Sequence, residues 1–143
     1  MPYKLLEGLT MADIAFEATG KTLEDMFRSA AEAMTNTQIE DLRELEIKVE
    51  KKITLEAPDI ERLLHDFLQE LIYLKDADLL LFKKHELRIA QTSKGYSLTA
   101  SLKGETIDMS KHKMLVDVKA VSWHKFKVEK TKSGWKAVVI IDV

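Results

Sequence analysis

Asp13, Asp142 and the carboxylate at Val143 are the groups in this sequence with the clearest capacity for chemistry. Ala137 to Ile141 reads as a buried strand, yet it runs straight into an acid, and the sequence stops at the next residue. Two unit charges 4 Å apart cost about 4 kcal/mol at an effective dielectric of about 20, so adjacent carboxylates need water or a positive partner. Asp13 opens another apolar strand, on its non-core side. If the two strand ends meet, three carboxylates converge, and hard cations prefer such oxygen donors. The alternative is that each acid is separately solvated at its own strand end.

Other groups compete for attention. Glu70 falls inside the apolar stripe of a helix, and a carboxylate at the edge of a core needs a partner. Lys119, which interrupts an apolar strand, is the candidate, and a structural ion pair is the expected outcome. In VKAVSWH, residues 118–124, strand alternation places Lys119, Val121 and Trp123 on one face and His124 on the other. His112 lies in the same region, but neither histidine has metal-ligand spacing, and strand histidines usually serve at surfaces or interfaces. Residues 111–136 carry eight lysines against Asp117 and Glu129. Such a face could meet a phosphate backbone or an acidic protein. It could equally be a solvated edge that resists aggregation.

The elements that must position these groups follow from periodicity. Residues 12–18 alternate, with Ala12, Ile14, Phe16 and Ala18 to one side, as in a half-buried strand. Thr22 can cap a helix with the stripe Leu23, Met26, Phe27, Ala30, Ala31 and Met34. Residues 45–56 alternate again, from Leu45 and Ile47 to Leu55, as an antiparallel strand would. Pro58 opens a second helix, where a missing N–H costs little. Its stripe is Ile60, Leu63, Leu64, Phe67, Leu68, Leu71 and Leu74. Then the helical period vanishes. Strands are expected over 79–90, 96–103, 114–122, 123–129 and 135–143, with a hairpin turn over 130–134. Two helices among many strands, without regular alternation, give an α+β class: a single compact domain over 1–143, mostly antiparallel β-sheet packed with two α-helices.

Composition narrows the function. The 143 residues are 45% hydrophobic and 32% charged with a net charge of −2, so the whole molecule has no bias toward nucleic acid. The absence of cysteine excludes disulfides, thiolate zinc sites and cysteine nucleophiles, and fits a reducing compartment. No signal peptide or membrane-length apolar run is present, which points to the cytoplasm. Five glycines leave little room for a phosphate loop, and GxxxxGK, GxGxxG and GxSxG motifs are all missing.

Several segments, taken in order, resemble the archease family. They are ADI at 12–14, GKTLEDMF at 20–27, LIYLKD at 71–76, HKMLVDVKAVSWH at 112–124, GW at 134–135 and the closing IIDV. The resemblance spans nearly the whole sequence. It implies an accessory protein without turnover of its own. Such a protein activates an RtcB-type tRNA-splicing RNA ligase by promoting guanylylation and multiple turnover, meeting tRNA indirectly through the ligase. It further implies metal ligation by Asp13, Asp142 and Val143, with calcium as the expected ion. Glu70 falls where the family tends to place an acid, and Glu70, Lys119 and His124 are candidates for supporting the site or contacting a partner. The sequence departs from the family at Thr10, where a histidine is usual, at Met11, and at Ser122 and Trp123, where threonine and tyrosine are common.

Two readings from other classes stand beside this one. The lysine-rich 111–136 region could make the chain an RNA-binding module or RNA chaperone. The acids could instead serve a metal-dependent phosphoester hydrolase, with His124, His112 or Glu70 as general base.

Overall fold

Alternating apolar residues build the sheets, and stripes at steps of three and four build the helices that fill the space against them. A computed structural model describes residues 2–6 and 13–143. Its elements are β1 (Tyr3–Leu6), β2 (Asp13–Gly20), α1 (Leu23–Gln38), a short 3-10 turn (Leu42–Glu44), β3 (Val49–Ala57), α2 (Ile60–Asp78), β4 (Leu80–Thr92), β5 (Gly95–Thr106), β6 (Ala120–Thr131) and β7 (Gly134–Asp142). Among the described residues these strands form two antiparallel sheets, ordered β1-β2-β7-β6 and β3-β5-β4. The α+β class with two helices is therefore what the chain adopts. Of the positions singled out above, Thr10, Met11 and Ala12 lie outside the described residues.

One core takes side chains from both sheets and both helices, including Phe16, Phe27, Phe67, Leu98 and Val139, all fully buried. The α1 stripe behaves as its spacing predicts: Met26, Phe27, Ala30, Ala31 and Met34 are buried, and the Thr22 side chain accepts the Asp25 N–H at 3.1 Å. α2 differs at its start. Asp59 is the cap, because its carboxylate accepts the Arg62 N–H at 2.8 Å, so Pro58 stands one residue before the cap rather than in the first turn. Leu79 ends α2 in a left-handed conformation (φ 56°) and is half exposed, so β4 begins at Leu80.

Several strands differ from the expectation for tertiary reasons. β3 starts at Val49 rather than at residue 45. The Glu46 N–H is taken by the buried Glu105 carboxylate, Leu45 joins Ile39 and Leu81 in a separate small cluster, and Ile47 is left exposed. Residues 114–122 and 123–129 are not two strands. Met114 makes an isolated bridge to Ile39, 115–119 carry no strand pairing, and β6 is one strand interrupted by a bulge. β1, which the alternation did not reveal, pairs with β2 from Tyr3↔Ala18 to Leu6↔Ala15. The hairpin turn falls at Lys132–Ser133 as expected, and Gly134 is needed there: at φ 155°, a Cβ would sit 2.1 Å from the Gly20 carbonyl oxygen.

β4 is a border strand whose outer edge is covered by α1. The Glu24 carboxylate accepts the Ile89 N–H at 3.2 Å, and Arg28 Nε donates to the His85 carbonyl at 2.9 Å. These side chains replace a missing strand and keep the edge from pairing elsewhere. The His85 ring is buried beneath them, with no hydrogen-bond partner for either nitrogen among the described residues. Burial first, and then the positive Arg28, push its pKa down to about 4. A histidine depressed in the folded state favours folding above its unfolded value near 6.5 and loses that contribution as pH falls toward 4. Stability should therefore drop by about 3 kcal/mol over that window. His85→Leu should flatten the drop in urea titrations run at pH 7, 5.5 and 4, and an unchanged slope in the variant would exclude His85 as its source.

Candidate functional site

The register between β2 and β7 decides where the acids lie. From Gly20↔Trp135 through Phe16↔Val139 to Ile14↔Ile141, each core-facing residue of one strand meets a core-facing residue of the other. A slip of one would turn either strand inside out, so burial locks the pairing. The same register, carried one step further, sets Asp13 directly opposite Asp142. Directly opposed residues of an antiparallel pair point to the same side of the sheet. The two carboxyls come into hydrogen-bonding contact there. Burial first, then the hydrogen bond and negative charge of Asp13, raise the Asp142 pKa above the ordinary carboxylate value.

The chain around the pair is held from several sides. Asp142 also lies opposite Ala120 of β6, and the Lys119 N–H donates to the Asp142 carbonyl at 2.8 Å. The Val143 side chain packs against the core. Among the described residues, neither Asp13 nor Asp142 has a lysine, arginine or histidine within ion-pair distance. No group of three or more His, Cys, Asp or Glu side chains is arranged to hold a metal among these residues. Two side-chain carboxylates meet, and the third oxygen donor expected from the sequence belongs to the main chain at Val143.

Of the other sequence candidates, Lys119 joins this corner through its backbone N–H alone. Glu70 is half-buried, Lys119 is exposed, and the ion pair expected between them is not formed among the described residues. The buried lysine is Lys75, which extends the α2 stripe four residues past Leu71. Its ammonium contacts the Asp117 carboxylate, lies 3.0 Å from Asp76 and donates to the Val118 carbonyl at 2.7 Å. It thereby pins the segment that leads to Lys119 and Asp142. Reading Lys75 as part of the helix stripe would have found it.

His112 is buried within a polar cluster of its own. Nδ1 accepts the Asp108 N–H at 2.9 Å, and Nε2 faces Glu105 at 3.2 Å. Burial alone would raise the Glu105 pKa, but the Glu46 N–H, Lys111 and His112 together hold it at about 2. Nδ1 is thus committed to the Asp108 N–H, and the ring is buried against Glu105 away from the acidic corner, which leaves His112 poorly placed as a general base. His124 is exposed on β6, where its N–H donates to Ser122 Oγ at 3.0 Å. Half of the lysine-rich region is neutralised locally. Lys111, Lys113, Lys127 and Lys136 pair with Glu46, Glu105, Glu40 and Glu129. The basic face is thus much weaker than its count of lysines suggests.

Side chains of α2 that the sequence did not single out also matter. Glu61, His65 and Gln69 stand on successive turns and bind the backbone of β6. Their spacing of four beside the apolar stripe was the available signal.

Comparison with known proteins places this architecture. Residues 3–143 match the model of the archease protein family (MTH1598/TM1083). Protein archease of Methanosarcina barkeri is 38% identical over 133 residues, covering 92% of this chain and 90% of that protein. Protein archease of Methanopyrus kandleri is 33% identical over 143 residues and covers 100% of both. The solution structure of protein 1598 from Methanobacterium thermoautotrophicum superposes with a TM-score of 0.85 at 30% identity, over 99% of each chain. The crystal structure of an archease, described as a possible chaperone, from Thermotoga maritima has a TM-score of 0.60 at 19% identity, over 94% of this chain and 93% of that one, and shares the fold. With the family pattern matched from Tyr3 to Val143 and relatives above 30% identity across nearly the whole length, this chain belongs to the archease family.

Proposed function

We propose that this chain is a cytoplasmic activator of an RtcB-type RNA ligase. It promotes guanylylation and repeated turnover of the ligase in tRNA splicing, and it works through a divalent-cation site formed by Asp13, Asp142 and the Val143 carboxylate. The observation that carries the reading is the register that sets Asp13 opposite Asp142. Membership of the archease family supports it.

The donors fit a hard cation. All are oxygens, the Asp142 carboxyl is burdened by its own burial and by Asp13, and no basic side chain of the described residues compensates them. When bound, calcium supplies the countercharge that lets both aspartates remain ionised side by side. The protein supplies rigidity: β2 and β7 hold the two side chains in register, the Lys119 N–H fixes the Asp142 carbonyl, and Val143 is anchored by its packing. An activator shifts its target only through differential affinity, so this surface must bind the guanylylation-competent ligase more tightly than the stalled one.

The test is guanylylation of the cognate ligase, with and without this protein, before and after chelator treatment. Stimulation should disappear with chelator and return on adding calcium. A rate that the protein does not change under any of these conditions would remove the activator reading.

A further inference from the structure

The interruption of β6 is large. Ser122 pairs with Ile140 and Lys127 with Val138, so Trp123, His124, Lys125 and Phe126 stand opposite Val139 alone. A common bulge sets two residues against one. α2 holds this larger one on both flanks. Glu61 Oε2 accepts the Val128 N–H at 2.9 Å, His65 Nε2 lies 3.0 Å from the Val121 carbonyl, and Gln69 Oε1 accepts the Val121 N–H. The His65 ring then lies flat on the Trp123 indole, with centroids 3.8 Å apart and planes within 4°. Phe126 meets both rings edge-on.

This apparatus holds residues outward. Trp123 is 53% exposed although burying an indole is among the largest gains open to a side chain. His124 and Lys125 are also exposed, and neither has an ion-pair partner among the described residues. Lys125 adopts a left-handed backbone (φ 55°), which is strained for a non-glycine residue and tends to persist where function requires it. A rigid exposed aromatic with charged neighbours has the character of a protein-binding hot spot.

We propose that Trp123, His124 and Lys125 form the tip by which this protein docks on its partner, and that the partner offers an apolar pocket rimmed by carboxylates. The inference rests on the activator reading, and the partner is the ligase. Charge argues for a protein rather than RNA. The cleft beside Trp123 carries Asp59, Glu61 and Asp66 against Arg62, and Arg62 is itself 3.5 Å from Asp66. A phosphate backbone lying over the indole would meet these acids, whereas a protein surface can set acids toward Lys125 and basic groups toward the cleft.

The experiment titrates wild type, Trp123→Ala and Lys125→Glu into the cognate ligase with calcium present and reads guanylylation rate against concentration. For Trp123→Ala the half-maximal concentration should rise about 30-fold, with the plateau within about twofold of wild type because the acidic corner is untouched. Lys125→Glu leaves the ring stack in place and controls for misfolding; it should weaken docking in the same direction, less so at high salt. Wild-type stimulation with unchanged half-maximal concentrations in both variants overturns the docking tip and leaves the activator reading standing. No stimulation by wild type overturns both. Loss of binding to a single-stranded RNA oligonucleotide by Trp123→Ala, with its ligase titration unchanged, identifies a base-stacking platform and overturns the protein-docking assignment.

Discussion

Asp142→Ala should eliminate stimulation of the ligase while the protein stays folded, and Asp13→Ala should do the same. This is the largest functional effect expected of any single substitution here. Each change removes one of two opposed carboxylates without altering the register, because the register is held by the buried residues Phe16, Val139 and Ile141 rather than by the acids. A separate thermal measurement makes the expectation sharper. Without metal, Asp142→Asn should melt above wild type, since it removes a repulsion that wild type must tolerate. With calcium at about 100 times its dissociation constant, wild type should gain about 2.7 kcal/mol, while the variant gains much less. The order of melting temperatures should therefore reverse on adding calcium. Full stimulation by both alanine variants, or an unreversed order, would separate these acids from function.

Phe67→Ala should cost about 3–5 kcal/mol. Phe67 is fully buried at the centre of α2 and stacks on Phe27 of α1 with ring centroids 5.9 Å apart, so it ties the two helices together inside the shared core. The removed ring leaves a cavity bounded by two sheets and two helices, and such a site collapses poorly. Urea unfolding should show a lower midpoint with an unchanged slope, and a melting temperature lower by about 10 °C. A loss below about 1 kcal/mol would mean that the core repacks around the gap.

The positions that were legible in the sequence share a property with the positions of these two experiments: local pattern marked them. The α1 stripe, the α2 stripe and the alternation of β2 each express a contact between residues a few positions apart and one buried face. The acids at the ends of β2 and β7 stood out because an apolar run led up to them. Where reading failed, the deciding contact came from elsewhere. Leu45 and Ile47 continue the β3 alternation, yet the Glu105 carboxylate captures the Glu46 N–H and stops the strand short. Glu70 and Lys119 each interrupt an apolar pattern, but the lysine that is buried is Lys75, held by partners from the segment before β6. Trp123 to Phe126 have strand-like composition, and no local rule says that three side chains of α2 will hold them out as a bulge.

Periodicity alone therefore determined the α+β class, the two helices and most of the strands, and it marked acids at the ends of two apolar strands, because hydrophobic faces are written at spacings of two and of three to four. The meeting of Asp13 with Asp142, the covering of the β4 and β6 edges by helix side chains, and the outward hold on Trp123 were decided by the tertiary structure. Each depends on two distant segments arriving at one place in one register, and that outcome is set by how the whole core packs rather than by any short stretch of residues.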